Sequence, residues 1–453
     1  MDIDQRSHAD FTPQGDLAPD QPARSGKAWF AVVLLFTLLL ANYADKLIVG
    51  LVGPDMMREL GIGAEKFGVI QSSFYLLLVV GSVLGGWLGG KIRARWLLGG
   101  LAAVWSLALL PMAGQVGFGV IVACRMLLGL AEGPAAALIM KVTHSWFPPE
   151  RRALPSSIVL VGATVGPMIA APAISWILTR HDWHAAFAAL AAVGLLVAVL
   201  WLVFGREGSE ASSKGRASEV TSASEAAPAS EAAPASGLLP ERVPLGRIFR
   251  TGTVIGMLAL MIVSYAVTAI KTTWMPVYLR DGLGYDATAT GNLLALTYLG
   301  VTVSVLSVGA VSRALTKRGV TNRASRGLLS SGVFLGGAVA TLAFPFVDRG
   351  PLQIALIVAS GALNAAAYGV VFAVLSDVIP AAQRGIAYGI VTAVYGLGGM
   401  AAPLVMGNLV GAGETAVSGY QVGFVGLGIA MLIGSVAVAA LVNPERDVAK
   451  LAG

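Results

Sequence analysis

Cysteine is nearly missing from this chain. Cys124 is the only one in 453 residues, so no intrachain disulfide forms and no thiolate metal cluster can be built. It reads as a small buried residue. Histidine is almost as scarce: His8, His144, His181 and His184 fall in the N-terminal tail or near the ends of apolar runs. Neither His-Glu-x-x-His nor Cys-x-x-Cys occurs, which removes the common zinc-hydrolase and dithiol chemistries. Neither an enzyme nor a resident cofactor is expected. Charge is thin as well, with Asp, Glu, Lys and Arg at 12% of the residues against about 25% in ordinary soluble domains. Residues 1–27 are polar and lack an apolar h-region, so no cleavable signal peptide is expected.

What the chain has in abundance is long apolar runs. Twelve are long enough to cross about 30 Å of hydrocarbon, from Ala28–Leu51 through a short third run at Trp96–Met112 to Tyr420–Val442. The alternation of a membrane barrel is absent, so the spans are helices, the other form that satisfies its own backbone in lipid. Gly81, Gly85 and Gly89 recur at the small-xxx-small spacing that lets helices approach closely. A polar stretch with tandem Ser-Glu-Ala-Ala-Pro-Ala repeats at 224–229 and 230–235 divides the spans six and six. Its composition predicts a disordered linker. The expected organisation is an N-terminal disordered tail (1–27), a six-helix bundle (28–205), the linker (206–250), a second six-helix bundle (251–442) and a short tail (443–453). The fold class is therefore an all-α membrane protein of twelve transmembrane helices in two pseudo-symmetric bundles, as in parallel-repeat transporters.

The net charge of +6 does not call for nucleic acid. Arg58, Lys66, Arg180, Arg280 and Arg349 fall on one side of the membrane; Lys46, Arg125 and Lys271 lie within spans; the other basic residues share the side that holds both termini. That asymmetry predicts cytoplasmic termini and a multi-pass plasma-membrane protein, the inner membrane in a bacterium. A monomer is expected, with the lipid bilayer as its surroundings.

Five ionisable residues sit inside the apolar runs: Asp45, Lys46, Arg125, Glu132 and Lys271. A charge at mid-bilayer costs at least ~2.5–3.5 kcal/mol, so such residues face a protein-lined cavity and mark a pathway for ions or substrate. Asp45 and Lys46 in span one and Lys271 in span seven lie at similar depth, about 26 Å from the cytoplasmic entry, which places them opposite one another across a central cavity. Arg125 and Glu132 are seven residues apart, on one face of span four and about 10.5 Å apart along it.

The segments that carry these residues are distinctive. They include Asn42-Tyr43-Ala44-Asp45-Lys46, the run Arg125–Gly133 (RMLLGLAEG), Trp146-Phe147-Pro148 with Glu150-Arg151-Arg152, His181-Asp182-Trp183, Trp274–Leu279 (WMPVYL) and Ser376–Pro380 (SDVIP). Together they resemble the major facilitator superfamily, and within it the anion:cation symporter branch, which carries organic anions with protons or sodium. The resemblance covers nearly the whole chain outside the linker and tails. It implies the major facilitator fold and a small organic anion, a carboxylate, as cargo. Several positions depart from the family pattern. Lys46 stands where Arg is common, Gly90 replaces the acidic latch of the loop after span two, and Lys271 is unusual. The amides that sugar-acid carriers often use on spans five and eleven are missing from Val161–Thr164 and Ala393–Gly398, which points to a less hydroxylated cargo.

From these readings Arg125, Lys46 and Lys271, with Tyr43, Tyr75 and Tyr395, are the candidate substrate-binding residues. Asp45 and Glu132 are the candidate proton carriers, because burial and neighbouring cations act on a carboxyl in opposite senses. The alternatives are a permanent ion pair for Arg125 and snorkelling towards the interface for Lys46. Gln71, Asn292, Tyr298, Asn364 and Tyr368 are further polar groups in spans. Trp274 reads as an interfacial anchor, and Asp377 as an inner-face salt bridge close to Arg384. A partial Gly-x-x-x-Gly-Pro at Gly162–Pro167 keeps a proton-coupled antiporter or exporter of the same fold as the alternative function.

Overall fold

The computed structural model describes residues 25–148, 151–208 and 240–452. The linker repeats and most of the N-terminal tail lie outside that set. Twelve apolar helices run through it: α1 (Gly26–Leu60), α2 (Ala64–Gly89), α3 (Ala94–Ala113), α4 (Phe118–Trp146), α5 (Ala153–Arg180) and α6 (Trp183–Phe204) form the first bundle. The second is α7 (Gly252–Gly282), α8 (Ala287–Lys317), α9 (Arg323–Phe346), α10 (Pro351–Val378), α11 (Ala381–Ala412) and α12 (Ala416–Leu441), followed by the short α13 (Pro444–Ala452). We call the face where α1 starts and α12 ends the terminal side, and the opposite face the far side.

Close helix pairing in both bundles rests on glycine. A Cβ at Gly162 or Gly166 of α5 would strike the Phe36 or Leu40 carbonyl of α1, and one at Gly398 of α11 would strike the Ile262 carbonyl of α7. Gly129 and Gly133 of α4 similarly meet the Phe74 and Leu78 carbonyls of α2. The Gly162–Gly166 spacing thus has a packing role of its own. The bundles also share an end-capping device. After α6, Glu207 accepts the backbone N–H of Arg95 at the start of α3 (2.8 Å). After α12, Glu445 accepts those of Asn322 (2.7 Å) and Arg323 (3.4 Å) at the start of α9. A carboxylate satisfies orphan donors there and complements the helix dipole.

Residues beyond Leu51 extend α1 by more than two turns, further than the apolar run suggested. Polar partners hold that extension: Asp55 pairs with Arg280 of α7 at 2.5 Å, and Glu59 accepts from the indole N–H of Trp183 (2.6 Å) and lies 2.9 Å from Nε2 of His184. Trp274 corrects another expectation. It is fully buried rather than anchored at the lipid interface, because α7 packs between the bundles there; its ring meets Phe67 of α2 edge-on and its N–H donates to the Pro403 carbonyl (3.1 Å). The partner of Asp377 is Arg326 of α9 (2.7 Å), with Arg384 nearby. Both residues of that pair belong to the second bundle, so it braces one bundle rather than joining two.

The far side is shut by main chain. Gly50 of α1 abuts the Thr272 and Thr273 carbonyls of α7, Gly68 of α2 and Gly407 of α11 abut each other's helices, and Gly291 of α8 abuts the Ala171 carbonyl of α5. Each of these three contacts joins one bundle to the other. Gly50→Leu cannot fit against the Thr272 carbonyl and should hold this face open. The measurement is labelling of a cysteine placed at Met275 by a membrane-impermeant maleimide added on the far side: labelling should rise severalfold, and unchanged labelling would refute the seal.

Candidate functional site

Between the bundles lies a cavity of about 280 Å³. On α1, Tyr43 and Lys46 are three residues apart and so share a face, and both line it. Tyr75 of α2 and Lys271 of α7 complete the set of sequence candidates on its wall. The Lys271 ammonium donates to the hydroxyl of Ser360 on α10 and stands 5.2 Å from the centre of the Phe344 ring. Among the described residues it has no carboxylate partner. Lys46 lies 4.0 Å over the ring of Tyr43.

A smaller void adjoins the first and shares Tyr43, Lys46 and Tyr265 with it. Glu132 and Tyr395 line this second space. Lys46 therefore stands between the main cavity and the Glu132 carboxyl. Asp45, one position before Lys46 and about 100° round the helix, lines neither space and lies close to the Glu132 carboxyl.

Arg125 is placed differently from the lysines. Only 1% exposed, it is absent from the walls of both spaces. One guanidinium nitrogen donates to Oε1 of Gln71 (2.9 Å), the group lies 4.3 Å from the Phe74 ring centre, and Nε and Nη1 have no hydrogen-bond partner. Its charge acts on Glu132 and Asp45. The structure thus gathers Asp45, Glu132 and Arg125 into a buried cluster behind the wall, with Lys46 between that cluster and the cavity.

Aromatic rings cross from one bundle to the other along the walls of the two spaces. Tyr75 meets Tyr265 at 5.9 Å, Tyr265 meets Tyr395 at 4.9 Å, and Tyr395 meets Tyr368 at 6.0 Å, each edge to face. Tyr298 and Asn364 also line the cavity, whereas Asn292 is exposed and away from it. Sequence reasoning missed Tyr265 and Ser360. Tyr265 carried a signal: with Thr268 and Thr272 it forms an i, i+3, i+7 polar stripe on a largely apolar helix. Ser360 carried a weaker one, lying one turn before Asn364.

Two six-helix bundles around a central cavity narrow the possibilities, and a family model decides among them: residues 34–403 match that of the Major Facilitator Superfamily. The chain belongs to that superfamily. It is therefore a multi-pass membrane transporter rather than an enzyme. A probable galactarate/D-glucarate transporter of Bacillus subtilis is 25% identical over 414 residues, covering 88% of this chain and 89% of its own length. A probable sulfoacetate transporter of Cupriavidus necator is 24% identical over 371 residues, covering 81% and 84%. The crystal structure of a bacterial homolog to the human lysosomal transporter Spinster shares the fold, with a TM-score of 0.69 and 14% identity over 93% of this chain and 96% of that one.

Proposed function

We propose that this major facilitator protein is a proton-coupled symporter that carries a small organic anion by alternating access. One observation carries the reading: Lys271 presents an ammonium group to the central cavity with no acidic side chain paired to it among the described residues. A cation left uncompensated in a low-dielectric site favours an incoming anion strongly. The names of the relatives support the same cargo class, since galactarate, D-glucarate and sulfoacetate are all organic anions.

Coupling follows from the place of Lys46. A cargo carboxylate in the main cavity competes with Glu132 for the Lys46 charge. As Glu132 loses that compensation it holds a proton more firmly. Arg125 limits the effect from behind, so the pair can release the proton once cargo has left. Tyr43 and Tyr75 shape the space in which the anion lies, and Tyr395 the smaller one beside it. The excess of basic residues on the terminal side puts both termini in the cytoplasm, and the sealed far side then faces outwards. The protein works as a monomer in the plasma membrane, the inner membrane of a bacterium.

In proteoliposomes, Glu132→Gln should lose uphill accumulation under an imposed pH gradient, falling at least about tenfold, while exchange of labelled for unlabelled cargo continues. Accumulation at the wild-type level would remove Glu132 from coupling. Accumulation that follows a sodium gradient instead would replace the proton as the driving ion.

A further inference from the structure

The cavity wall is rich in serine and threonine, yet their donors point away from it. Thr164 donates to the Val161 carbonyl (3.1 Å), Thr268 to Ser264 (3.0 Å), Thr272 to Thr268 (2.9 Å), Thr297 to Leu293 (2.9 Å) and Thr302 to Tyr298 (3.0 Å). Ser157 donates in the same way to Ala153 (2.9 Å). All six residues line the cavity, and all six commit their one O–H to their own helix. The threonines are left to present methyl groups. Asn364 is committed too: its amide nitrogen donates to the Ser264 carbonyl (3.3 Å) and to Oγ1 of Thr268 (3.4 Å), leaving only a buried carbonyl oxygen. Between these residues the wall is apolar, with Leu160, Val161, Pro167, Met275, Leu294 and Ile357 on it.

Taking a hydroxyl out of water without a partner is unfavourable, and a polyhydroxylated cargo would meet that cost at several positions. The wall instead offers two ammonium groups, tyrosine rings and aliphatic surface. The volume, about 280 Å³, is at the small end of ligand cavities, which run roughly 300–1,000 Å³.

Resting on the anion-symport reading above, we infer that the cargo is a small carboxylate with an apolar, aliphatic or aromatic body rather than a sugar acid. The carboxylate lies at Lys271 and Lys46. The body lies against the threonine methyls and the tyrosine edges.

Matched competitors test this in proteoliposomes holding the full-length wild-type protein. Adipate and galactarate share a six-carbon diacid skeleton and differ only in hydroxyls; hexanoate and gluconate do the same for monoacids; benzoate serves as an aromatic member. Transport of a labelled member of the panel should be inhibited by the hydroxyl-free acid of each pair at a concentration at least about tenfold below that of its hydroxylated counterpart. Stronger inhibition by galactarate and gluconate would overturn the inference while leaving anion transport standing. Absence of transport and of competition by every acid in the panel would overturn the symport reading itself. Val161→Asn, which places an amide on the wall, should narrow the gap between adipate and galactarate; an unchanged gap would count against the wall as the cause.

Discussion

Lys271→Ala should abolish anion binding, lowering affinity by about 30-fold or more, while leaving the thermal stability of the detergent-purified protein unchanged or slightly higher. The two halves of this expectation come from one fact. The ammonium is held by a neutral hydroxyl and an aromatic ring, not by a carboxylate. Removing it therefore strands no buried counter-charge, and the folded state loses little. Removing it from a loaded cavity is another matter, because the cargo carboxylate then lies in an apolar space without its cation. Truncating one partner of a buried charge pair costs about 2–5 kcal/mol, and about 1.4 kcal/mol is a factor of ten in affinity. Lys271→Arg keeps the charge but exchanges a compact ammonium for a planar fork, so it should retain part of the binding. Equilibrium binding of labelled cargo and thermal unfolding check both halves. A variant that binds as wild type would take Lys271 out of the site and remove the main support for an anionic cargo.

Arg125→Ala should behave in the opposite way, with a large and pH-dependent loss of stability. Arg125 is buried against Gln71 and Phe74 with the Asp45–Glu132 pair close by. Its removal leaves negative charge in a low-dielectric interior, for which about 3–5 kcal/mol is the usual cost. Lowering the pH neutralises that charge by protonation. The gap in melting temperature between variant and wild type should accordingly be wide near pH 8 and narrow towards pH 5. Adding Asp45→Asn to the variant should recover much of the stability at pH 8 without restoring proton-driven accumulation. If Arg125 served only to hold cargo, the variant would lose affinity and its melting temperature would follow the wild type at every pH.

The contrast between these residues also shows where sequence reading stops. Lys46 and Lys271 were legible because depth along a helix follows from counting residues, and both line the same cavity. The face shared by Arg125 and Glu132 was legible for the same reason. What stands opposite that face was not. Gln71 and Phe74, which cover Arg125, come from another helix, and periodicity within α4 contains nothing about its neighbour. The same limit explains Trp274. Its position near the end of an apolar run suits an interfacial anchor, and only the packing of α7 against α2 and α11 shows that it is buried. Helix ends were misjudged where polar residues continue a helix past its apolar run, as Asp55 and Glu59 do in α1. The commitment of the cavity threonines to their own backbones was equally hidden, since composition counts a hydroxyl without showing where it points.

A barrier made of touching main chains differs in kind from one made of side chains. At Gly50, Gly68, Gly291 and Gly407 there is no rotamer to flip and no long side chain to swing aside. Thermal wobble of individual side chains therefore does not part the helices at these points. Parting the barrier requires whole helices to separate together, which confines the molecule to a few large rearrangements instead of many small ones.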